Sequence, residues 1–211
     1  MPSTLLLATR ERSDLAAFLA GLTPGQWEAP TLCTGWNVRQ LVGHMLSYDE
    51  LTALDLVKRL AKAGFRPDRA NALGVTEYDR SPAELLALLR RNLRPRGLTA
   101  GLGGMIGLLD ATIHHQDIRR ALDLPRPIPA DRLRVVLRLA FFAPPIQAFV
   151  RARGLRLVAT DIEFTRGSGP EVRGPGEALL MATAGRGQAL ADLAGPGLAT
   201  LAARMPGQAT G

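Results

Sequence analysis

Asp110 and His114 stand four residues apart in Leu109-Asp110-Ala111-Thr112-Ile113-His114-His115-Gln116-Asp117. On a helix they project from one face, one turn above the other. A carboxylate and an imidazole at that spacing can hold one metal ion between them. The same spacing is common in solvated surface pairs, so alone it leaves both readings open. The remaining histidine, His44, lies in a separate apolar-periodic segment and can supply a third ligand from a facing helix. Three protein ligands with an open position describe a catalytic zinc-type site better than a closed structural one. His115 points about 100° away from His114 and is not needed as a ligand.

The elements that must position these residues are mostly helical. Apolar spacing predicts helices over Thr4 to Leu22, with Leu5, Ala8, Leu15, Phe18, Leu19 and Leu22 inward, and from Val38 to about Ala63 with Asn37 as N-cap. In the second of these, Leu51, Leu54 and Val57 continue the buried stripe, and His44 sits at its edge. Between them Gln26 to Trp36 reads as a loop carrying both tryptophans. Asp68 to Arg80 reads as a connection. Ser81-Pro82-Ala83-Glu84 is a strong helix start, and that third helix ends near Arg94-Pro95. A fourth helix, roughly Met105 to Leu122, carries Asp110 and His114, and a fifth runs from Ala130 to Phe142. Residues 1–153 are therefore expected to form a helical bundle with short links. From 154 to 211 a small α/β segment follows: a strand within Leu155 to Ile162, a short pairing strand at Glu171-Val172-Arg173, and helices over Gly176 to Ala184 and Gly195 to Arg204. The last six residues are expected to fray.

Composition narrows the function classes. With 46% hydrophobic and 21% charged residues, the 211-residue chain is globular and long enough for one sizeable core. The absence of a run of 18 apolar residues argues against a membrane span. Arg10-Glu11-Arg12 stands where a leader's cleavage site would be, and Cys33 is the single cysteine, so a reducing cytoplasm is expected. Cys33 reads as a small packed hydrophobe rather than a nucleophile. The net charge of +7 raises nucleic acid as a partner, but with aromatics at only 5% no stretch interleaves them with the arginines, which counts against base stacking. All basic residues except Lys58 and Lys62 are arginine, which suits anionic small substrates through bidentate pairing.

Trp27 to His44, written Trp27-Glu28-Ala29-Pro30-Thr31-Leu32-Cys33-Thr34-Gly35-Trp36-Asn37-Val38-Arg39-Gln40-Leu41-Val42-Gly43-His44, resembles the W-x-x-P-(S/T)-x-C-x-G-W-x-V-R-(D/Q)-x-(V/L)-x-H signature of the mycothiol-dependent maleylpyruvate isomerase family. His114 to Leu122 is similar to that family's second motif. Leu155 to Asp161 and Val172 to Leu180 are similar to its C-terminal segment, so the resemblance covers nearly the whole chain. It implies a DinB-like four-helix bundle, mainly α, with a small α/β C-terminal segment. It also implies a divalent metal, usually zinc, held at the positions of His44, Asp110 and His114. The departure is Asp110, where the family more often has glutamate. Being one methylene shorter, aspartate requires the metal to sit closer to the helix or to bind more weakly.

The resemblance further implies mycothiol as thiol cosubstrate and a small electrophile, with the metal activating the thiol for attack. The sequence places no nucleophile of the chain's own near the site, which fits an external thiol. Arg186 matches the region where the family's functional arginine is expected, and a surface arginine after a helix C-terminus fits it equally. Asp117 can hydrogen-bond a ligand imidazole, but the preferred reading pairs it with Arg120 or Arg119 at the surface. A metal-dependent hydrolase and a non-catalytic ligand-binding member of the fold are the competing readings. Oligomeric state has no signal in the sequence, and a homodimer stays open.

Overall fold

Ser3 and Thr23 each accept a hydrogen bond from a backbone N–H of the turn that follows, and these caps open the first two helices, α1 (Thr4–Ala20) and α2 (Pro24–Trp27). The computed structural model describes residues 2–205. Asn37 and Gln40 form a reciprocal capping box that starts α3 (Val38–Leu46). Three more helices follow: α4 (Ala53–Lys62), α5 (Pro67–Glu77) and α6 (Pro82–Arg91). After a short 3₁₀ turn, α7 (Gly101–Ala121) begins with Leu102, Gly103 and Gly104 in left-handed conformations, so its regular part starts at Met105 as the spacing predicts.

The chain divides into two compact units, Met1–Pro125 and Arg126–Gly211. In the first, α1 packs on α7 and α6, and α3 packs on α6 and α7. These four helices enclose a core of Leu15, Leu19, Trp27, Val38, Leu41, Met45, Leu85, Leu89, Ala111 and Ile118. The second unit contains α8 (Ala130–Ala140), α9 (Ala148–Arg151), strands β1 (Arg156–Ala159), β2 (Thr165–Arg166) and β3 (Glu171–Gly174), then α10 (Gly176–Thr183) and α11 (Leu198–Ala202). The sheet order is β2-β1-β3, with β1 antiparallel to β2 and parallel to β3, and Leu157 opposite Val172. The fold is mainly α with one small sheet. The division falls at Pro125 rather than after Arg153, because the apolar face of α8 (Leu133, Val136, Leu137, Ala140) is buried and α8 packs on α10. No helix among the described residues is long and apolar enough to cross a membrane.

Four expectations are corrected. The single helix from Val38 to Ala63 is two helices. Ser47 Oγ donates to His44 O at 2.8 Å at the end of α3, and Thr52 with Asp55 forms a new capping box at the start of α4. Leu54 and Val57 are consequently exposed, not on a buried stripe. The connection after Asp68 is helix α5, opened by Pro67 in its first turn. Its Gly74 lets it lie close to the end of α3, since a Cβ there would meet Ser47 Oγ at 2.6 Å. Besides the strand at Glu171, β1 pairs with β2, which had not been anticipated. The short C-terminal helix is narrower than expected, and the fraying expected for Pro206–Gly211 lies outside the described residues.

Between α1 and the link from α3 to α4 sits a buried ion pair. Arg12 NH1 and NH2 donate to the two oxygens of Asp49 at 2.8 Å each, and both side chains are almost wholly buried. Arg12 also donates to Asn92 O, and Thr99 Oγ1 donates to Asp49 Oδ1 at 2.6 Å. Removing one partner leaves the other charged and dry, which costs far more than the pair contributes. Asp49→Ala should therefore destabilise the protein by about 3–5 kcal/mol in urea unfolding.

Candidate metal centre

His44 and His114 meet edge to face across the interior of the first unit, with ring centroids 5.3 Å apart and planes at 87°. The last turns of α3 bring in His44, and the middle of α7 brings in His114 with Asp110 one turn before it. One ligand-capable atom from each of His44, Asp110 and His114 lies within 4.8 Å of the others. His114 Nε2 is 3.5 Å from Asp110 Oδ1. A tetrahedral zinc with ligands at about 2.0–2.1 Å needs its ligand atoms about 3.4 Å apart, so that edge already has the right length. Two polar atoms of this cluster, His44 Nδ1 and Asp110 Oδ2, are buried without a hydrogen-bond partner. Buried polar atoms are rarely left so, and a cation between them would satisfy both. The residues present fit a divalent metal.

The other face of the His114 ring explains its orientation. Its Nδ1 lies 2.9 Å from Asp117 Oδ2, and a carboxylate can only accept, so Nδ1 carries the proton and Nε2 is left for a ligand. Asp117 is fully buried, which corrects its expected place at the surface. The same Oδ2 accepts a hydrogen bond from Cys33 Sγ at 3.2 Å, and that sulfur is 3.7 Å from His114 Nδ1. The chain therefore does have a nucleophilic atom beside the cluster, contrary to expectation, and Cys33 is not simply a packed hydrophobe. The loop that carries it is tied down by Leu32 N–H donating to Asp117 O and by Thr31 Oγ1 donating to Trp36 O, with Gly35 in the left-handed region at φ 85°. Eighty-odd residues of separation hid this contact; the only signal was that Cys33 lies in the same motif as His44.

Trp36 and Tyr48 flank the His44 ring at centroid distances of 4.7 and 5.4 Å. Arg59, buried, stacks over Tyr48 and donates to Ser47 Oγ and to Glu77. Burial, then the neighbouring His114 and Arg59 charges, push the His44 imidazole down to about 3, so it is neutral and able to ligate. Burial also pulls on His114, but its bond to Asp117, the nearby Cys33 and the Asp110 charge outweigh it and raise the ring to about 10. Burial raises the Asp110 carboxyl, opposed by His114 and Arg12.

His115 faces away from the cluster, as expected. It is fully buried, donating from Nδ1 to Glu11 at 2.8 Å and accepting at Nε2 from Arg119 Nε at 2.8 Å. Arg119 in turn lies over the Phe18 ring, 3.9 Å from its centroid. Arg186 belongs to the second unit, where its guanidinium donates to Ala184 O at 2.8 Å.

The family model described as "Mycothiol maleylpyruvate isomerase N-terminal domain" matches residues 8–119. Two solved structures are similar in fold. One is the mycothiol-dependent maleylpyruvate isomerase, at 17% identity and TM-score 0.52. The other is a histidine-to-alanine mutant of a protein of that name, at 16% identity and TM-score 0.55. Each likeness covers 92% of this chain and 91% of the other. No curated protein matches the chain.

Metal uptake must displace the proton that His114 holds in the metal-free protein. With the folded value near 10 and the free value near ~6.5, protonated His114 stabilises the metal-free fold fully below about pH 6.5, and this is lost as pH rises toward 10. Apparent zinc affinity, read by chelator competition, should thus climb about tenfold per pH unit between pH 6.5 and 9. Asp117→Asn should weaken it about 10–100-fold at constant pH, with the helical circular dichroism unchanged.

Proposed function

The chain belongs to the mycothiol maleylpyruvate isomerase family through its N-terminal domain, and from that premise we propose a metal-dependent enzyme that takes mycothiol as cosubstrate. It would isomerise, or add mycothiol through its thiol to, an electrophilic small molecule bearing carboxylates. The observation that supports the metal is the pair of buried, partnerless atoms, His44 Nδ1 and Asp110 Oδ2, clustered with His114. His44, Asp110 and His114 would hold the ion, and two nitrogens with one oxygen suit zinc. When bound, it supplies the Lewis acidity that brings a thiol's pKa below its free value of about 8.5, so that thiolate exists at neutral pH.

The chain's own groups do the remaining work. Asp117 fixes the His114 tautomer and holds Nε2 toward the cluster. Trp36 and Tyr48 pin the His44 ring from two sides. Arg186 is the proposed partner for a substrate carboxylate, which its planar guanidinium can pair bidentately. With Cys33 beside the cluster, the choice of mycothiol rests on family membership and not on a missing nucleophile.

Purified protein should carry about one zinc per chain by elemental analysis, and His44→Ala and His114→Ala should each lose most of it. Equal retention of metal in both variants would remove the site. The zinc-loaded protein should convert a panel of unsaturated dicarboxylates only when mycothiol is present, and Cys33→Ser should keep that dependence. Turnover with water alone would replace the thiol reading by a hydrolase, and loss of turnover in Cys33→Ser with metal retained would move the nucleophile onto the chain.

A further inference from the structure

The second unit carries a groove that the metal centre does not use. It has a volume of about 390 Å³ and is lined by residues between Phe141 and Ser168. Its floor is apolar: Ala152, Leu155 and Leu157 are all buried. Phe141 and Phe149 form its walls, and Phe149 is 63% exposed, next to Val150 at 61%. Two phenyl rings beside a concave apolar floor offer a contact surface to an aromatic or acyl group.

Two arginines also line the groove, Arg153 and Arg166. Among the described residues neither guanidinium is paired with a carboxylate. Arg166 Cζ lies over the Phe141 ring, 4.2 Å from its centroid, with the Phe142 centroid at 5.7 Å. A cation–π contact at this distance restrains the guanidinium, and its N–H groups are donors suited to an anion. Arg153 is exposed at the start of the turn into β1, where its backbone N–H donates to Val150 O and its carbonyl accepts from Arg204. The Ser168 hydroxyl adds a donor at the rim. Apolar walls, two uncompensated cations and a volume within the usual range for small ligands define the occupant by chemistry.

We propose that this groove binds a small amphipathic carboxylate, its aromatic or acyl body between Phe141 and Phe149 and its carboxylate on Arg166 and Arg153. No covalent step is involved. The site is independent of the metal, so it stands or falls apart from the proposed function.

The test is calorimetric titration of the full-length protein with 4-phenylbutyrate and, separately, with its neutral amide. The expected result is saturable binding of the acid at one site, with Kd of about 0.1–1 mM, and at least tenfold weaker binding of the amide. The doubly substituted Arg153→Gln, Arg166→Gln protein should bind the acid at least tenfold more weakly. Phe149→Ala, at an exposed position where folding is not at stake, should weaken acid and amide alike by roughly fivefold. Each variant's thermal midpoint reports that it is folded. Equal binding of acid and amide, unchanged affinity in the arginine variant, or no saturable binding by the folded wild type would each overturn the proposal. Retained zinc in every variant would show that the metal centre is untouched.

Discussion

A histidine ring has two nitrogens, and the bond made by one decides what the other can do. In α7 that decision is made by Asp117, which accepts a hydrogen bond from His114 Nδ1–H at 2.9 Å and is itself buried. Nε2 is then turned toward Asp110, one helical turn earlier, and toward His44 from α3. The rest of the first unit serves this ring. The loop before α3 packs its thiol on the same carboxylate, Trp36 and Tyr48 confine His44, and the ending of α3 at Ser47 sets where His44 stops. Without Asp117, the ring could turn and the three donors would lose their common centre.

That Asp110 and His114 share a face was legible from spacing, because an i, i+4 pair on a helix must do so whatever surrounds it, whereas His44 beside them was an expectation from the family motif. Four-helix packing of α1, α3, α6 and α7 was legible for the same reason, as was the start of α6 at Ser81-Pro82. The break after Ser47 was less so. The apolar period runs on through Leu51, Leu54 and Val57, and only the Thr52/Asp55 capping pair contradicts it. Asp117 and Cys33 were misread because their meaning lies in each other. An aspartate near two arginines looks solvated, and a lone cysteine far from any histidine in sequence looks inert, until a loop folded over α7 puts them 3.2 Å apart.

Behind the site the interior is unusually charged. Arg12 with Asp49 and Glu11 with His115 are buried beside a mostly apolar core, and buried Arg59 reaches outward to the half-exposed Glu77. Such pairs add little to stability compared with well-packed apolar residues, but each tolerates only a narrow geometry. They trade strength for placement. The Arg12 and Arg59 charges also act on the cluster, Arg12 opposing the rise of the Asp110 carboxyl and Arg59 helping to keep His44 neutral.

Two faces of α7 are committed at once. Asp110, His114 and Asp117 look to the cluster, while His115 and Arg119 engage Glu11 and Phe18 on α1. Each residue of an α-helix advances the azimuth by about 100°. A gain or loss of one residue between Asp110 and Asp117 would swing every later side chain through that angle and unseat both faces together. The contact with α1 is thus a rotational stop for the face that holds the donors. Over this stretch the length of the chain is constrained as tightly as its chemistry.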